Sequence, residues 1–183
     1  MYLVSSSLMC AMMLLRAMGS FAQRGASFTI SKEIVIKDAD KEKAFKKGKN
    51  WIKGLDNVTI SRWNDDQCVL EATSSLPYEN DVVLEDVLLS PNAALRTKGV
   101  INFTIKLSSE SGKCKVEFTD FNHEAAYNRY GKISFGLILT NEKVPLDKCF
   151  ENTAWCNAVW EDMKTKIRRH CLQIMEEAKR KFD

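Results

Sequence analysis

Two neighbouring segments of this chain alternate apolar and polar residues, and this period of two constrains the fold more than any other feature. In "GVINFTIKL" (99–107) alternate residues from Ile101 to Leu107 are apolar, and in "KCKVEFTDF" (113–121) those from Cys114 to Phe118 are apolar or a cysteine. Such alternation predicts antiparallel strands that bury one face and leave the other in water. The linker "SSESG" (108–112) ends in glycine and predicts a hairpin turn between the strands.

A second hairpin and an N-terminal strand enlarge the predicted sheet. The segments "NVTISRW" (57–63) and "QCVLEAT" (67–73) are joined by "NDD", which is typical of a tight turn. Residues 27–39, "SFTISKEIVIKDA", alternate as well, although Lys32 interrupts the apolar set. A β-bulge at Lys32 would explain this interruption. These segments together predict about five strands.

Two segments have helical periodicity instead. After Asp38 and Asp40, either of which can cap a helix, apolar residues recur in steps of three and four until Gly54. The same steps run from Trp155 to Phe182, a helix of roughly 42 Å at 1.5 Å per residue, long enough to cross a sheet. The sequence therefore predicts an α+β domain: an antiparallel sheet of about five strands, covered on one face by a short N-terminal helix and a long C-terminal helix.

Length and charge agree with a single globular domain. The 183 residues are 45% hydrophobic, which argues against disorder of the whole chain. The 27 basic and 24 acidic residues are interspersed along the sequence. This balance gives no overall field strong enough to indicate a nucleic-acid or membrane partner.

The N-terminus is typical of an export signal. An apolar run, Leu8–Leu15, precedes small residues at Ser20 and Ala22, the pattern that signal peptidase accepts before a cut. A buried or membrane helix is the alternative, but a membrane span needs roughly 20 apolar residues and this run is shorter. We therefore expect a signal peptide over residues 1–22, a single domain over 23–183, and a periplasmic or secreted protein without a membrane span after cleavage.

Removal of residues 1–22 leaves five cysteines, an odd number that cannot form a complete disulfide framework. Cys68 and Cys114 share the phase of apolar strand positions, and Cys156 and Cys171 lie on the apolar stripe of the last helix. These four are predicted to be buried thiols that pack as small hydrophobic groups. A single bridge that involves Cys149 remains an alternative.

Five motifs occur in an order that resembles a known family. They are "KNWI" (49–52), "GVINFTIKL", "CKVEFTDFNHE" (114–124), "FGLILTNEKVP" (135–145) and "WCNAVWEDMKTKI" (155–167). The family is a domain of unknown function with a TATA-binding-protein-like (TBP-like) fold, found in exported proteins of Gram-negative gut bacteria, and the resemblance covers residues 28–182. It implies the fold and export, with no assigned activity and no catalytic residues to transfer.

The resemblance to the TATA-binding protein does not extend to DNA binding. That protein has two similar halves and a basic sheet face, whereas this chain has one half. The residues predicted on its open face are rich in threonine and carry both signs of charge: Thr29, Ser31, Glu33, Thr59, Ser61, Glu71, Thr73, Asn102, Thr104, Lys106, Lys115, Glu117 and Thr119. Because such a face cannot neutralise a row of phosphates, no nucleic-acid partner is predicted.

A polar cluster follows the last alternating segment: Asp120, Asn122, His123 and Glu124. Asp120 shares the phase of Val116 and Phe118, so we expect it to end the inward face of its strand. A metal site needs three or four ligands, and the chain has two histidines. We predict no metal, no cofactor and no catalytic residues. The alternative is an envelope hydrolase that uses Asp120, His123 and Glu124.

Two long excursions, 74–98 and 122–150, leave the predicted meander at the same end, and loops of this length are often functional. Aromatic and basic residues there fit a partner-binding surface. Equally, "VVLEDVLL" (82–89) and "ISFGLIL" (133–139) fit segments that extend or cover the sheet. The candidate binding residues are Asp120, His123, Tyr127, Arg129 and Tyr130. The predicted function is a non-enzymatic binding or protein-interaction module of the cell envelope, with an unknown protein or small ligand as its partner.

Overall fold

The computed structural model of the protein describes residues 25–85, 89, 92–141, 143–149 and 151–182. The predicted signal peptide, residues 1–22, lies outside these ranges. No helix within them is both long and apolar enough to cross a membrane.

Six antiparallel strands in the described ranges form one sheet. In chain order they are β1 (Ile30–Val35), β2 (Thr59–Asn64), β3 (Val69–Tyr78), β4 (Gly99–Glu110), β5 (Lys113–Ala125) and β6 (Gly136–Leu137). Their order across the sheet is β1-β5-β4-β3-β2, and β6 also pairs with β5. The first half of β5 pairs with β1, and Asn122 and His123 in its second half pair with β6. The two short strands therefore share one edge of the long hairpin β4–β5.

The helices are α1 (Lys41–Lys53), the single turn α2 (Ala93–Arg96) and α3 (Thr153–Phe182), with a 3₁₀ turn at Leu146–Lys148. Asp40 is the N-cap of α1, because its Oδ1 accepts a hydrogen bond of 2.8 Å from the backbone N–H of Lys43. Asn152 precedes α3 and accepts likewise from the N–H of Ala154 at 2.8 Å. With 30 residues, α3 is about 45 Å long.

The helices α1 and α3 lie against the same face of the sheet. α1 packs on the β4–β5 hairpin so closely that a Cβ at Gly48 would come within 2.8 Å of Leu107 Cδ2. α3 contacts β1 and β3, and its last aromatic ring, Phe182, meets the Trp51 ring of α1 edge-on at 6.1 Å. The predicted α+β class and the long C-terminal helix are confirmed. We call the side packed against the helices the covered face, and the other side the uncovered face.

The expected bulge at Lys32 is wrong. β1 pairs with β5 without a register shift from Ile30 to Val35. Lys32 stays in phase with its apolar neighbours on the covered face, and its Nζ lies 2.6 Å from Glu176 Oε1 of α3. Because β1 is at the sheet edge, the lysine can keep its charge in water while its stem packs under the helix.

Cys68, Cys114, Cys149 and Cys171 are free thiols. Cys68, Cys114, Cys156 and Cys171 are buried, as predicted, and Cys149 is partly buried without a bridge. Burial raises the pKa of the Cys171 thiol to about 12, so this group is an inert core side chain rather than a nucleophile.

Both excursions leave the sheet at one end, because Gly99 pairs with Tyr78 on one side and with Ala125 on the other. The strands are longer than predicted, so the excursions are shorter. The segment "ISFGLIL" extends the sheet: Ile138 N–H donates to Phe121 O at 2.7 Å, and Phe28 N–H donates to Ile138 O at 3.0 Å. For this segment the sheet-extending alternative is the correct one.

Candidate functional site

Asp120 lies at a bulge in the middle of β5. The register between β4 and β5 shifts between Asn102 and Thr104, so that Asp120 and Phe121 together oppose Phe103. Asp120 adopts a left-handed backbone with φ of 57° and is exposed. The prediction that it ends the inward face is therefore wrong. The extra residue reverses the phase, and β5 continues to Ala125 with Phe121 and His123 on the covered face.

His123 is buried in the core, with 1% of its surface exposed. Its Nδ1 accepts a hydrogen bond from the N–H of Phe135 at 3.1 Å, so the proton resides on Nε2, which donates to Thr97 O at 2.9 Å. Burial lowers the pKa of His123 to about 4, against a smaller opposite effect of the Thr97 carbonyl. The imidazole is therefore neutral and both of its nitrogens are occupied.

Aromatic contacts complete the surroundings of His123. Its ring lies edge-on to Tyr78, with centroids 5.2 Å apart, and tilted against Phe135 at 5.9 Å. The histidine thus joins three parts of the chain: strand β5, the residue Thr97 just after α2, and the segment before β6. Its position makes it a residue that holds the loop end in place.

The cluster required by the hydrolase alternative is not assembled. His123 faces the helices, whereas Asp120 and Glu124 are exposed on the other side of β5. Within the described residues, no group of three or more His, Cys, Asp or Glu side chains is arranged to hold a metal ion. The apparent cluster results from adjacency in sequence, and a strand sends such neighbours to opposite faces.

Tyr78, the aromatic residue of the predicted first excursion (74–98), belongs to the core. Its hydroxyl donates to Asp162 Oδ2 of α3 at 2.9 Å, and Lys166 Nζ lies 3.0 Å from the same carboxylate and 2.8 Å from Asp81. Burial, reinforced by Asp162, raises the pKa of Tyr78 well above its ordinary value. This network ties the end of β3 to α3.

Tyr127, Arg129 and Tyr130 lie on a tight turn at the loop end. Gly131, at φ of 89°, donates its N–H to Asn128 O at 2.9 Å to close the turn. Asn128 also donates from Nδ2 to Leu95 O at 2.9 Å, which anchors the turn beside α2. Tyr127 is 83% exposed, and the Arg129 guanidinium lies 4.7 Å from the centre of the Tyr130 ring. The three residues are close together and accessible.

The uncovered face carries two ordered rows of side chains across the strands. The first is a threonine row: Thr119 of β5 pairs with Thr104 of β4, which pairs with Thr73 of β3, which pairs with Thr59 of β2. The second row alternates in charge in the same strand order, with the members Glu117, Lys106, Glu71 and Arg62. Directly opposed residues of unlike charge support the sheet while they remain available to a ligand.

A hollow of about 650 Å³ lies over the charged row. It is lined by Arg62, Trp63, Asn64, Gln67, Val69, Leu70, Glu71, Lys106, Leu107, Ser108, Lys115 and Glu117. A second hollow, of about 360 Å³, lies over three members of the threonine row, Thr59, Thr73 and Thr104, and includes Asn57, Ser75, Asn102 and Asp120. Asp120 therefore belongs to the uncovered face, whereas Tyr127, Arg129 and Tyr130 line neither hollow.

Lys106 is the central cation of the first hollow. Arg62 Nη2 lies 2.6 Å from Glu71 Oε2, and Lys115 Nζ lies 3.7 Å from Glu117 Oε2. Lys106 has no carboxylate within 4.0 Å in the described part of the chain. Its ammonium group is thus available to an incoming acidic group.

The predicted outward set contained Glu71, Lys106, Lys115 and Glu117 but missed Arg62. The register of β2 shifts between Ile60 and Arg62, with Ser61 as the extra residue. This bulge turns Arg62 to the uncovered face, where strict alternation places Ser61. No pattern in "TISRWN" marks the shift, since a bulge depends on the partner strand.

Two solved structures have a similar fold. A DUF4468 family protein from Bacteroides ovatus superposes with a TM-score of 0.53 at 12% identity, over 83% of this chain and 85% of the other. A TBP-like protein from Parabacteroides distasonis gives a TM-score of 0.46 at 13% identity, over 83% of this chain and 92% of the other. No protein-family model and no curated protein matches the sequence. The Bacteroides ovatus structure confirms, for the fold alone, the resemblance inferred from the sequence.

Proposed function

We propose that this protein is an exported, non-enzymatic binding module of the cell envelope, and that it recognises an extended peptide segment with its uncovered sheet face. The observation that carries the proposal is the hollow of about 650 Å³ over the charged row. A volume of this size accommodates several side chains of a ligand. The export part rests on residues 1–22 of the sequence.

The chemistry of the face indicates the kind of partner. Lys106 supplies a cation that makes no ion pair with the residues the structure describes, and Glu71 and Glu117 lie on its two sides. A partner that carries an acidic group at this point, with basic or amide groups on either side, would be complementary to the row. A peptide can present such an alternation, whereas a nucleic-acid backbone presents negative charge alone.

A display experiment tests the peptide assignment. Random peptides displayed on phage are selected on the immobilised protein, and the enriched peptides are measured by calorimetry against wild type and Lys106→Gln. Hydrogen bonds to a charged group contribute about 1.5–3 kcal/mol, so we expect Lys106→Gln to weaken binding at least about tenfold. Arg169→Gln, which removes one cation from an exposed position of α3, is the matched control and should bind as wild type does. If no peptide is enriched, or if Lys106→Gln binds equally well, the assignment is wrong.

The turn at the loop end supports a second candidate surface. Tyr127 and the stacked pair of Arg129 and Tyr130 are of the types that dominate protein interfaces, and the turn is anchored rather than loose. We propose it as a contact for a protein partner. Pull-down from envelope extracts should lose that partner when all three residues become alanine, while Lys106→Gln should retain it. Unchanged recovery with the triple variant would exclude this surface.

Export itself has a direct test. Mass spectrometry of the protein recovered from an expressing Gram-negative host should show a mature chain that begins at Gln23. An intact N-terminus in the recovered protein would contradict the proposed signal peptide.

A further inference from the structure

The outer side of α1 is rich in lysine. The helix contains six lysines and one glutamate, and its apolar residues Ala44, Phe45, Trp51 and Ile52 are all buried against the sheet and its neighbours. The lysines consequently occupy the side that faces water. Lys46 and Lys47 at its centre are exposed.

Few of these lysines are neutralised within the protein. Lys49 lies 2.7 Å from Asp65, and Lys43 makes a looser pair of 3.6 Å with Asp40. Four others have no carboxylate within 4.0 Å in the described residues: Lys41, Lys46, Lys47 and Lys53. A surface with this many unpaired cations destabilises itself by mutual repulsion, and a polyanion would relieve that repulsion.

The end of α3 adds to the same part of the molecule. Phe182 packs edge-on against Trp51, which brings the exposed residues 179–181, "KRK", to the neighbourhood of α1. Residues 41–53 and 176–182 together hold nine basic and three acidic side chains, a net charge of +6. The whole chain carries +3, so the remainder is negative. The overall balance of charge conceals this separation, because the two helices lie far apart in sequence.

We propose that this basic end, residues 41–53 with 179–181, docks the protein peripherally on an anionic lipid surface. The cations are mainly lysines, which act as point charges rather than as planar forks that grip single phosphates. They project from the outer side of a helix and not from a groove, as suits a diffuse layer of headgroups. Docking here would leave the uncovered face, on the opposite side of the sheet, free for a ligand.

Vesicle flotation tests the proposal with the full chain, so that residues 1–22 are the same in every sample. The vesicles are phosphatidylcholine alone or an equal mixture with phosphatidylglycerol. We expect binding to the anionic vesicles that exceeds binding to the neutral ones and falls steeply with added salt. Each basic residue near such a surface contributes about a factor of five. Lys46→Gln/Lys47→Gln should therefore weaken the anionic component about thirtyfold.

Lys132→Gln/Lys143→Gln is the matched control, since it removes the same charge from two exposed lysines elsewhere. Circular dichroism of all variants checks that they fold. Equal binding to both vesicle types would overturn the proposal, and so would an equal loss in the two double variants. Tighter binding to duplex DNA or to heparin than to the anionic vesicles at the same salt would also overturn the lipid assignment. None of these outcomes depends on the peptide selection, so the two proposals can fail separately.

Discussion

The two faces of the sheet are built from the same strands, but one packs the apolar core and the other carries polar side chains. On β5, Phe118 is completely buried under the helices, whereas its neighbour Glu117 is only partly covered and belongs to the charged row. The covered face holds a continuous apolar core, into which even a histidine and a tyrosine are drawn with all of their polar atoms bonded. The uncovered face keeps its charged groups and most of its hydroxyl groups in water, with Thr119 as a buried exception. Stability is therefore concentrated on one side, and the chemistry available to a ligand on the other.

The difference between the faces is tested most directly by replacing two adjacent residues of β5, one from each face, with alanine. Phe118→Ala should lower the free energy of unfolding by about 3–5 kcal/mol, because it leaves a cavity in a packed core. Glu117→Ala should change it by less than about 0.5 kcal/mol, since its partner Lys115 is an exposed lysine at 3.7 Å. Guanidinium chloride unfolding measures both. Similar losses for the two variants would show that the faces do not differ as described.

A pH titration of stability tests the buried histidine of the covered face. The folded-state pKa of His123 is about 4 and its ordinary value is 6.5, so between these values the unfolded chain binds the extra proton. Stability from this group is complete above pH 6.5 and is lost as the pH falls to 4. A pKa shift of this size corresponds to a loss of about 3 kcal/mol in the free energy of unfolding. Urea unfolding at a series of pH values measures the loss.

His123→Gln should flatten that pH dependence whatever its effect on absolute stability. His170 is the internal control: burial also lowers its pKa, against a smaller opposite effect of Glu177, but it is only partly covered. His170→Gln should retain most of the fall between pH 6.5 and 4. An unchanged profile in His123→Gln would contradict the buried, neutral histidine.

The bulge at Asp120 reverses which residues of β5 point to the covered face. The strain in its backbone can be tested by substitution. At φ of 57° a side chain costs roughly 1–2 kcal/mol and a branched one costs most. Asp120→Gly should raise the free energy of unfolding by about 0.5–1 kcal/mol, and Asp120→Val should lower it by about 1–2 kcal/mol. Thermal unfolding followed by circular dichroism ranks the variants. A wild type more stable than the glycine variant would show that the carboxylate stabilises the bulge.

The smallest effect is expected on the uncovered face. Lys106 makes no ion pair in the described residues, so Lys106→Gln should leave the free energy of unfolding within about 0.5 kcal/mol of wild type. The same variant is expected to lose peptide binding. Denaturant unfolding and calorimetry on one sample compare the two properties. A marked loss of stability would mean that the charged row serves the sheet rather than a ligand.

Most of the secondary structure could be predicted from periodicity. The hairpin of β4 and β5 follows from alternation and a glycine turn, and α3 follows from apolar steps of three and four. The two-residue strand β6 was predicted only as one of two alternatives for residues 133–139, because it forms only where β5 offers free backbone groups beyond the end of β1. The extension of β5 beyond Asp120 was missed for a related reason: the bulge is defined by its pairing with Phe103 of another strand.

The candidate site was predicted less completely. Alternation placed Glu71, Lys106 and Glu117 on the outward face, and they are there. His123 was predicted as a candidate binding residue because it belongs to a polar cluster with Asp120, Asn122 and Glu124. Its true environment is made by Thr97 and Phe135, which lie 26 and 12 residues away. No local sequence pattern predicts a hydrogen bond between residues so far apart in the chain.

The alternation in the strands and the apolar stripe of α3 were sufficient to predict a sheet with one apolar side and a helix that covers it. Each of these patterns repeats with the period of its secondary structure, so it is visible in the sequence. Three features required the folded molecule: the inward position of His123, the outward position of Asp120 and Arg62, and the meeting of two basic helix ends at Trp51 and Phe182. Each depends on contacts between residues distant in sequence, where bulges and packing decide the outcome. The complete charged row with Arg62 and the basic end both depend on such contacts, whereas Tyr127, Arg129 and Tyr130 were candidates from the sequence alone.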